Sequence, residues 1–210
     1  MSQTNNAKEE KAPKKNGITK QQRVRKITHI AIFSAISLIL YAAHVPPFVF
    51  PIFPPPFNFL EMNFSEVPAL IGAFAHGPVA GFIILVIRMV MKPLFMPSTT
   101  GYIGELADLI YSSAFIIPAA IIYQKRRNFK GVLIGLGVSF AAQLVVSTAA
   151  NYFLIHGLYN QMFFRGNIPF TREQFIVYVF PFNLIKNTII AVITILLYKR
   201  IMVFLNQLTS

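Results

Sequence analysis

The sequence predicts an all-α membrane protein, a bundle of six transmembrane helices with both termini in the cytoplasm. Two observations lead to this prediction. Of the 210 residues, 55% are hydrophobic and only 12% are charged, whereas a soluble domain averages about 25% charged residues. The basic residues also gather beside the apolar runs, and eight of the 19 lie in the first 26 positions.

Six apolar stretches are long enough, or nearly long enough, to cross a bilayer, which takes about 20 residues. They cover residues 27–44, 64–76, 78–96, 101–123, 131–155 and 174–198. The second stretch is short. We separate it from the third because Gly77-Pro78 is a turn signal; one long re-entrant helix over both stretches is the alternative.

Basic residues set the predicted orientation. They cluster in the N-terminal tail, at residues 125–130 and at Lys199-Arg200, whereas the opposite loops, which hold Glu61 and Glu66, carry little charge. Six spans place all three clusters on one side, which the positive-inside rule makes cytoplasmic. The net charge of +12 therefore does not indicate a nucleic-acid partner. We predict a basic, disordered cytoplasmic tail at residues 1–26 and a six-helix membrane domain at residues 27–210.

The loop after the first span is rich in proline and phenylalanine. Residues 45–64 read VPPFVFPIFPPPFNFLEMNF and contain six of the 14 prolines. Proline stops helices because it cannot donate a backbone hydrogen bond, yet the segment is too apolar for a solvated linker. We predict that it packs over the outer face of the bundle as a lid; a segment that dips into the lipid headgroups is the alternative.

The sequence lacks the motifs of common catalytic and ATP-binding sites. It contains no GxxxxGK[ST] phosphate loop, no HExxH zinc motif, no GxSxG elbow and no GxGxxG motif. It has no cysteine, and its four histidines are scattered over loops and helix ends. We therefore predict a protein that is not an enzyme and that holds no metal and no cofactor. Binding, passive permeation and transport that depends on another energy source remain possible functions.

Polar residues lie inside the last three spans. Asn183 and Lys186 are three residues apart and share one helix face, and Asn187 falls beside them. Counting depth at ~1.5 Å of rise per residue places five polar groups together in the outer halves of these spans. They are Glu105, Asp108, Asn151, Asn183 and Lys186. This convergence beneath the lid predicts a pocket that opens to the outside.

Structural roles are the alternative for several of these residues. Lys186 and Asp108 could form an ion pair that only locks helices together, and a single buried asparagine is more often an interhelical hydrogen bond than a ligand. We expect Arg88, in the third span, to pair with Glu105 or Asp108 rather than to contact a substrate. The inner halves of the last three spans are nearly all apolar, which argues against a channel.

Two pairs of small residues are spaced four apart. Ala31 and Ala35 lie in the first span, and Gly131 and Gly135 open the fifth. Small residues at this spacing let another helix approach closely. The spacing alone leaves both docking on a partner and packing inside the bundle open.

Together these motifs resemble the S components of energy-coupling factor (ECF) vitamin transporters. The resemblance rests on the alanine pair and on the segments NFSEVPALIGAFAHGPVAGFI, GYIGELADLI, NYFLIHGLY and PFNLIKN. It covers residues 27–205 and is closest to the riboflavin-specific members. It implies a six-helix bundle in the bacterial cell membrane that binds one vitamin from outside. It also implies a transmembrane coupling protein and two cytoplasmic ATPases as partners, which would explain the missing phosphate loop.

The resemblance implies roles for particular residues. Asn151 of the NYF segment and Asn183 and Lys186 of the PFNLIK segment correspond to family residues that contact riboflavin. Tyr152, next to Asn151, is a candidate for stacking on a flat vitamin ring. The alanine pair of the first span corresponds to the family's motif for docking on the coupling protein.

Two departures from the riboflavin-specific pattern leave other vitamins open. NYF is followed by HGLY where riboflavin proteins often read LPLY, and the segment related to GELAN ends in Asp108. Riboflavin is neutral, so its pocket should balance Lys186 and Arg88 against Glu105 and Asp108, whereas pantothenate is an anion and needs a positive surplus. We expect riboflavin first, then pantothenate and pyridoxine; a secondary carrier, a channel and an intramembrane enzyme are more remote alternatives.

Overall fold

The computed structural model describes residues 20–42, 49–53, 60–98, 101–165 and 171–209. Within them the chain is mainly helical. The helices are α1 (Lys20–Ala42), α2 (Glu66–His76), α3 (Pro78–Phe95), α4 (Ile103–Lys125), α5 (Phe129–Ala150), α6 (Asn160–Phe164) and α7 (Arg172–Thr209). A π-helical segment, Asn151–Tyr159, joins α5 to α6. An antiparallel hairpin of two short strands, β1 (Val49–Pro51) and β2 (Glu61–Asn63), precedes α2.

Five helical segments of the described chain are long and apolar enough to cross a membrane. They are residues 20–42, 78–95, 103–125, 129–154 and 176–197. The sequence predicted a sixth span where α2 lies. α2 has 11 residues, which rise about 16 Å at ~1.5 Å per residue and fall short of a ~30 Å hydrocarbon core. The protein is therefore a multi-pass helical membrane protein that contains one half-length helix.

The first and last helices extend beyond the predicted spans. α1 begins at Lys20, so residues 20–26 of the predicted tail are helical; residues 1–19 lie outside the described residues. α7 continues to Thr209, past the predicted end at residue 198. Residues 20–26 are mostly lysine, arginine and glutamine, which are good helix formers that do not require burial, so helix propensity extends α1 beyond its apolar stretch. In α7 the apolar run itself continues after Lys199 and Arg200, over residues 201–205.

Gly77 separates α2 from α3, as the turn signal predicted. Its φ is 96°, and its N–H donates to the carbonyl oxygen of Ala73 at 2.8 Å. Glycine adopts a positive φ without the steric penalty that a Cβ brings. Pro78 then occupies the first position of α3, where its missing N–H has no intrahelical partner to lose. The two helices are therefore separate, and the single re-entrant helix is excluded.

The chain just before α2 is irregular yet buried among the helices. The Oδ1 atom of Asn63 accepts hydrogen bonds from the backbone N–H and the hydroxyl of Ser65, at 3.3 and 2.6 Å. The Ser37 hydroxyl on α1 donates to the Ser65 carbonyl oxygen at 2.7 Å. Non-helical backbone at membrane depth is tolerated only where protein groups supply such partners. These bonds fix the start of α2 inside the bundle.

The main hydrophobic core lies between α2, α3 and α4, and α5 and α7 pack against it. Its fully buried members include Leu70, Ile84, Phe115, Val132 and Ile190. The second glycine of the predicted pair serves this packing, because a Cβ added at Gly135 would lie 3.0 Å from the carbonyl oxygen of Ala119 on α4. Gly135 therefore lets α5 approach α4 within this bundle, whereas Gly131 lies against Arg126 in the turn between the two helices.

Candidate substrate-binding site

α7 carries polar side chains into the bundle. Asn183, Lys186 and Asn187 are 3%, 4% and 0% exposed. The side-chain amide of Asn183 donates to the carbonyl oxygen of Val179, one turn earlier, at 3.0 Å. Burying a polar or charged group costs free energy unless a partner satisfies it. For Lys186, those partners come from α2 and α4.

Lys186 forms ion pairs with carboxylates of two other helices. Its Nζ lies 2.7 Å from Oε1 of Glu66 and 3.7 Å from Oδ1 of Asp108. Glu66 is fully buried in the first turn of α2, and the Ser112 hydroxyl donates to its Oε1 at 3.1 Å. The expected contact between Lys186 and Asp108 is present. The shorter contact is to Glu66, which the sequence had placed in an outer loop.

Arg88, on α3, completes this ion-pair network. Its side chain is 1% exposed and forms an ion pair with Asp108, one of the two partners expected from the sequence. Its guanidinium also donates to the hydroxyls of Ser65 and Ser112, at 2.6 and 3.1 Å. Because these donors serve protein acceptors, Arg88 holds Asp108 and the start of α2 in place.

A second ion pair lies between α3 and α4. The Nζ of Lys92 is 3.3 Å from Oε1 of Glu105, and the Ser98 hydroxyl donates to Oε2 of Glu105 at 2.9 Å. The Tyr41 ring of α1 faces both neighbouring cations, with its centroid 4.4 Å from Lys92 Nζ and 4.6 Å from Arg88 Cζ. Both distances are in the range of cation–π interactions, so Tyr41 links the second pair to the network.

The charged side chains of the network and the second pair sum to zero. Three cations face three anions, and no side chain among them is more than 18% exposed. They are Arg88, Lys92, Lys186, Glu66, Glu105 and Asp108. Buried charges persist in this way when each has an opposite partner. A balanced cluster suits a neutral ligand that makes hydrogen bonds better than it suits an anion.

Asn151 lies where α5 changes from α-helical to π-helical winding. Its side chain is buried, and Tyr111 of α4 approaches it. π-helical turns are rare and frequently lie at functional sites. The winding changes at the residue that sequence reasoning had selected as a site residue.

A narrow cleft, with no room inside it even for a water molecule, lies between the end of α5 and the start of α7. It is lined by Thr148, Asn151, Ile176, Val179 and Phe180. Pockets for drug-sized ligands span ~300–1,000 Å³. The cleft therefore has to widen before a molecule of that size fits between the two helices.

The proline-rich loop covers the end of the bundle where α4 and α7 begin, which we call the lid end. Leu60 packs with Val179 in a hydrophobic cluster. The Phe53 ring lies edge-on to the Tyr178 ring, with centroids 5.3 Å apart. The predicted packing of this loop on the bundle is therefore confirmed for residues 52, 53 and 60. Residues 45–48 and 54–59 of the loop lie outside the described residues.

Five of the six residues predicted to contact a substrate lie in the ion-pair network, the second ion pair or the cleft. The sixth, Tyr152, lies apart from them. Lys186, Asp108 and Asn183 lie in or beside the ion-pair network, Glu105 in the second pair and Asn151 in the cleft. Tyr152 is 41% exposed, and its ring lies edge-on to Phe153. The structure therefore places Tyr152 toward the surface. Among the described residues, no group of three or more His, Asp or Glu side chains could hold a metal ion.

Sequence reasoning missed Glu66 and the hydroxyls of Ser65 and Ser112. One signal was available. Glu66 follows a serine at the start of an apolar run, where acidic residues favour the first turn of a helix. A buried carboxylate needs a cationic partner, and Lys186 had already been identified as a lysine inside the membrane. The two could therefore have been paired from the sequence.

The alanine pair of α1 faces away from the bundle. Ala31 and Ala35 are exposed, and Ile27, Ile32 and Ile36 beside them are 67%, 50% and 42% exposed. Packing against the described part of this chain is therefore not the role of the alanines. The face is apolar and has small residues at its centre, which suits contact with lipid or a second helix.

Known proteins match this chain over most of its length. A family model for the substrate-specific component of ECF transporters matches residues 25–198. The chain is similar to the riboflavin transporter RibU of Staphylococcus aureus (strain TCH60), with 33% identity over 189 residues, 90% of this chain and 95% of that protein. It is also similar to the riboflavin transporter FmnP of Bacillus subtilis (strain 168), with 27% identity over 191 residues, 90% of this chain and 97% of that protein.

A solved structure shares the fold. It is described as the S component of a bacterial ECF transporter, and it matches with a TM-score of 0.72 and 29% sequence identity. The match covers 87% of this chain and 98% of that chain. The likeness therefore extends over the whole membrane bundle.

Proposed function

Because this chain belongs to the family of substrate-specific (S) components of ECF transporters, we propose that it captures riboflavin outside the bacterial cell for import. Family membership confirms the resemblance inferred from the motifs, and it makes the chain a transport component rather than an enzyme. The relatives RibU and FmnP, both riboflavin transporters, support the choice of vitamin.

The balanced charge of the buried cluster carries this proposal. Three buried or nearly buried cations are matched by three anions, so the site offers hydrogen bonds without a surplus of either sign. Riboflavin is neutral and rich in hydrogen-bonding groups. An anionic vitamin would leave its carboxylate without a counter-charge in a low-dielectric site, which is costly.

Within this site, Asn151, Asn183 and Lys186 are the proposed hydrogen-bonding contacts to the vitamin. Asn151 lines the cleft, and Asn183 lies one turn from Lys186 on α7. Asp108 acts together with Glu66 by holding the Lys186 ammonium group. We place Glu105 and Tyr152 at the rim of the site, with the Tyr152 ring as a stacking surface for a flat ligand.

Entry of the vitamin requires the cleft to widen. The described lid residues pack on α7 through apolar and edge-on aromatic contacts. Such contacts are individually weak and non-directional, so the lid can separate from α7 without breaking the buried ion pairs. We propose that the lid moves and that the network stays fixed.

Transport requires partners, and we propose a transmembrane coupling protein and two cytoplasmic ATPases. The docking face is the exposed alanine pair of α1, Ala31 and Ala35. This arrangement places both termini in the cytoplasm of a bacterial cell. Segment 60–65 and α2 together make the sixth traverse, because the buried irregular backbone before α2 adds to its short length.

Reconstitution tests this function. Proteoliposomes that contain the chain together with an ECF coupling protein and its ATPases should accumulate riboflavin only when ATP is supplied on the cytoplasmic side. The matched control is the same vesicle with an ATPase variant that cannot hydrolyse ATP. Accumulation against a gradient by the chain alone would contradict the proposal and favour a secondary carrier.

A further inference from the structure

A row of buried polar residues runs along α5 below the proposed site. Ser139, Gln143, Ser147 and Asn151 are four residues apart, so they lie on one face of the helix, and each is at most 6% exposed. Asn151 lines the cleft. The other three continue from it toward the opposite end of the bundle, at about 6 Å per step.

α7 presents polar side chains at matching levels. The cleft places Asn151 of α5 beside Val179 of α7. Consecutive spans run in opposite directions, so eight residues back along α5 and eight residues forward along α7 lead to the same level. Those positions are Gln143 and Asn187, both completely buried. They lie about 12 Å below Asn151 and Val179.

Gln143 and Asn187 have unused hydrogen-bonding capacity. Neither the amide nitrogen nor the amide oxygen of either side chain has a hydrogen-bond partner in the described part of the chain. A purely structural role would pair these amides with each other or with nearby backbone, as interhelical polar groups normally do. Two carboxamides with four unpaired atoms at one depth, beneath a ligand site, point to a ligand.

We infer that Gln143 and Asn187 form the floor of the substrate site and bind the imide edge of the vitamin's flat ring. This inference rests on the proposed function. A carboxamide presents one donor beside one acceptor in a plane, so it pairs through two hydrogen bonds with an edge of the same kind, as asparagine and glutamine do with adenine. The imide edge of riboflavin offers one ring N–H between two carbonyl oxygens. One amide therefore pairs with the N–H and one carbonyl, and the other amide donates to the second carbonyl.

The surroundings favour the ring over the polyol chain at this depth. Above the floor, the apolar side chains of Val179 and Phe182 are buried beside Asn183, at 2% and 7% exposure, and apolar walls of this kind suit the faces of a flat ring. Two turns of helix, about 12 Å, separate the floor from the cleft, so the ring stands along α7 once the cleft between α5 and α7 has widened. The polyol chain is then directed toward the lid end, where water is accessible.

The test measures riboflavin binding by purified wild-type protein, Gln143→Leu and Asn187→Leu, together with two analogues. Each substitution removes the amide at similar volume, and each should weaken riboflavin binding about 10- to 100-fold. N3-methylriboflavin, which lacks the ring N–H, should bind wild type similarly weakly and show little further loss with either variant. Lumiflavin, which lacks the polyol chain, should depend on both amides as riboflavin does.

Thr194→Val is the matched control. Thr194 is also buried with an unpaired hydroxyl, but it lies about 10 Å beyond Asn187 along α7, out of reach of the ligand. It should bind riboflavin as wild type does. The thermal stability of the ligand-free variants separates lost binding from lost folding. If both leucine variants misfold, the N3-methyl analogue on wild-type protein still decides.

Three results would overturn the inference. Riboflavin binding of wild-type strength in both folded leucine variants would show that the amides do not contact the vitamin. Equal affinity for riboflavin and its N3-methyl analogue would show that Gln143 and Asn187 do not bind the imide edge. Lumiflavin binding that is independent of both amides would place the polyol chain there instead. If wild-type protein bound no riboflavin at all, the proposed function itself would fail, which is a distinct outcome.

Discussion

Replacing Lys186 by methionine should separate what this residue does for stability from what it does for binding. Lys186→Met removes the cation between Glu66 and Asp108. Asp108 keeps its ion pair with Arg88, but among the described residues Glu66 keeps only the hydrogen bond from the Ser112 hydroxyl. Removing one partner of a buried ion pair costs ~3–5 kcal/mol. For a chain of this size that loss lowers the unfolding midpoint by about 6–20 °C.

A second substitution should restore stability without restoring function. Adding Glu66→Gln to Lys186→Met removes the stranded carboxylate and leaves a neutral amide that can still accept from Ser112. The double variant should therefore recover most of the midpoint, measured by thermal unfolding of the ligand-free protein in detergent. Riboflavin binding should stay weakened in both variants, because the proposed contact from the Lys186 ammonium group is missing from each.

Lys92→Met is the matched control, since it removes the same side chain from the less buried pair with Glu105. The Lys92 side chain is 18% exposed and that of Lys186 is 5% exposed. Water screens the more accessible charge better, so the midpoint should fall less in Lys92→Met than in Lys186→Met. Two results would refute the reasoning. A double variant as unstable as the single one would show that Glu66 is not the partner that stabilises Lys186. Riboflavin binding of wild-type strength in the double variant would remove Lys186 from the ligand contacts.

Three further predictions concern binding, docking and helix packing. Asn183→Ala and Asn151→Ala should each weaken riboflavin binding by ~1–3 kcal/mol, or about 10- to 100-fold; equilibrium titration of folded protein that finds wild-type affinity for both would show that the site is misplaced. Ala31→Trp or Ala35→Trp should abolish uptake in cells while isolated protein still binds riboflavin, because close helix packing tolerates little added volume; loss of folding and binding together would indicate internal packing instead. Gly131→Ala should lower the unfolding midpoint, because its Cβ would lie 1.9 Å from the carbonyl oxygen of Arg126. The control Gly137→Ala meets nothing within 4 Å and should raise the free energy of unfolding by up to ~1 kcal/mol. Equal midpoints for the two variants would show that the turn at Arg126 adjusts freely.

The positions of polar residues in the sequence predicted some of the ion pairs inside the bundle. A charged side chain within an apolar span has few possible partners other than an opposite charge at the same depth. The ion pairs of Lys186 and Arg88 with Asp108 could therefore be predicted from the depth of each residue along its helix. Glu66 was missed because the length of α2 was read as a short membrane span. The chain enters the bundle as irregular backbone and becomes helical only at Glu66, so this carboxylate lies inside the structure. Sequence periodicity does not predict such an irregular entry.

We expected the inner halves of the last three spans to be nearly all apolar, and so missed the row of buried polar residues on α5. Single serines and a glutamine do not change the hydropathy of a span, yet Ser139 and Gln143 are fully buried on one face. Their common face follows from four-residue spacing, but their lack of partners depends on where α7 packs. The exposure of Ala31 and Ala35 likewise depends on how α1 is rotated, and the spacing alone left docking and internal packing open.

Titration of the purified protein with riboflavin and with pantothenate tests the central claim most directly. Protein freed of bound flavin should quench riboflavin fluorescence to saturation at one vitamin per chain, and a large excess of pantothenate should leave that curve unchanged. Tight pantothenate binding with no flavin binding would contradict the account, because the balanced charges of the buried cluster would then have selected an anion.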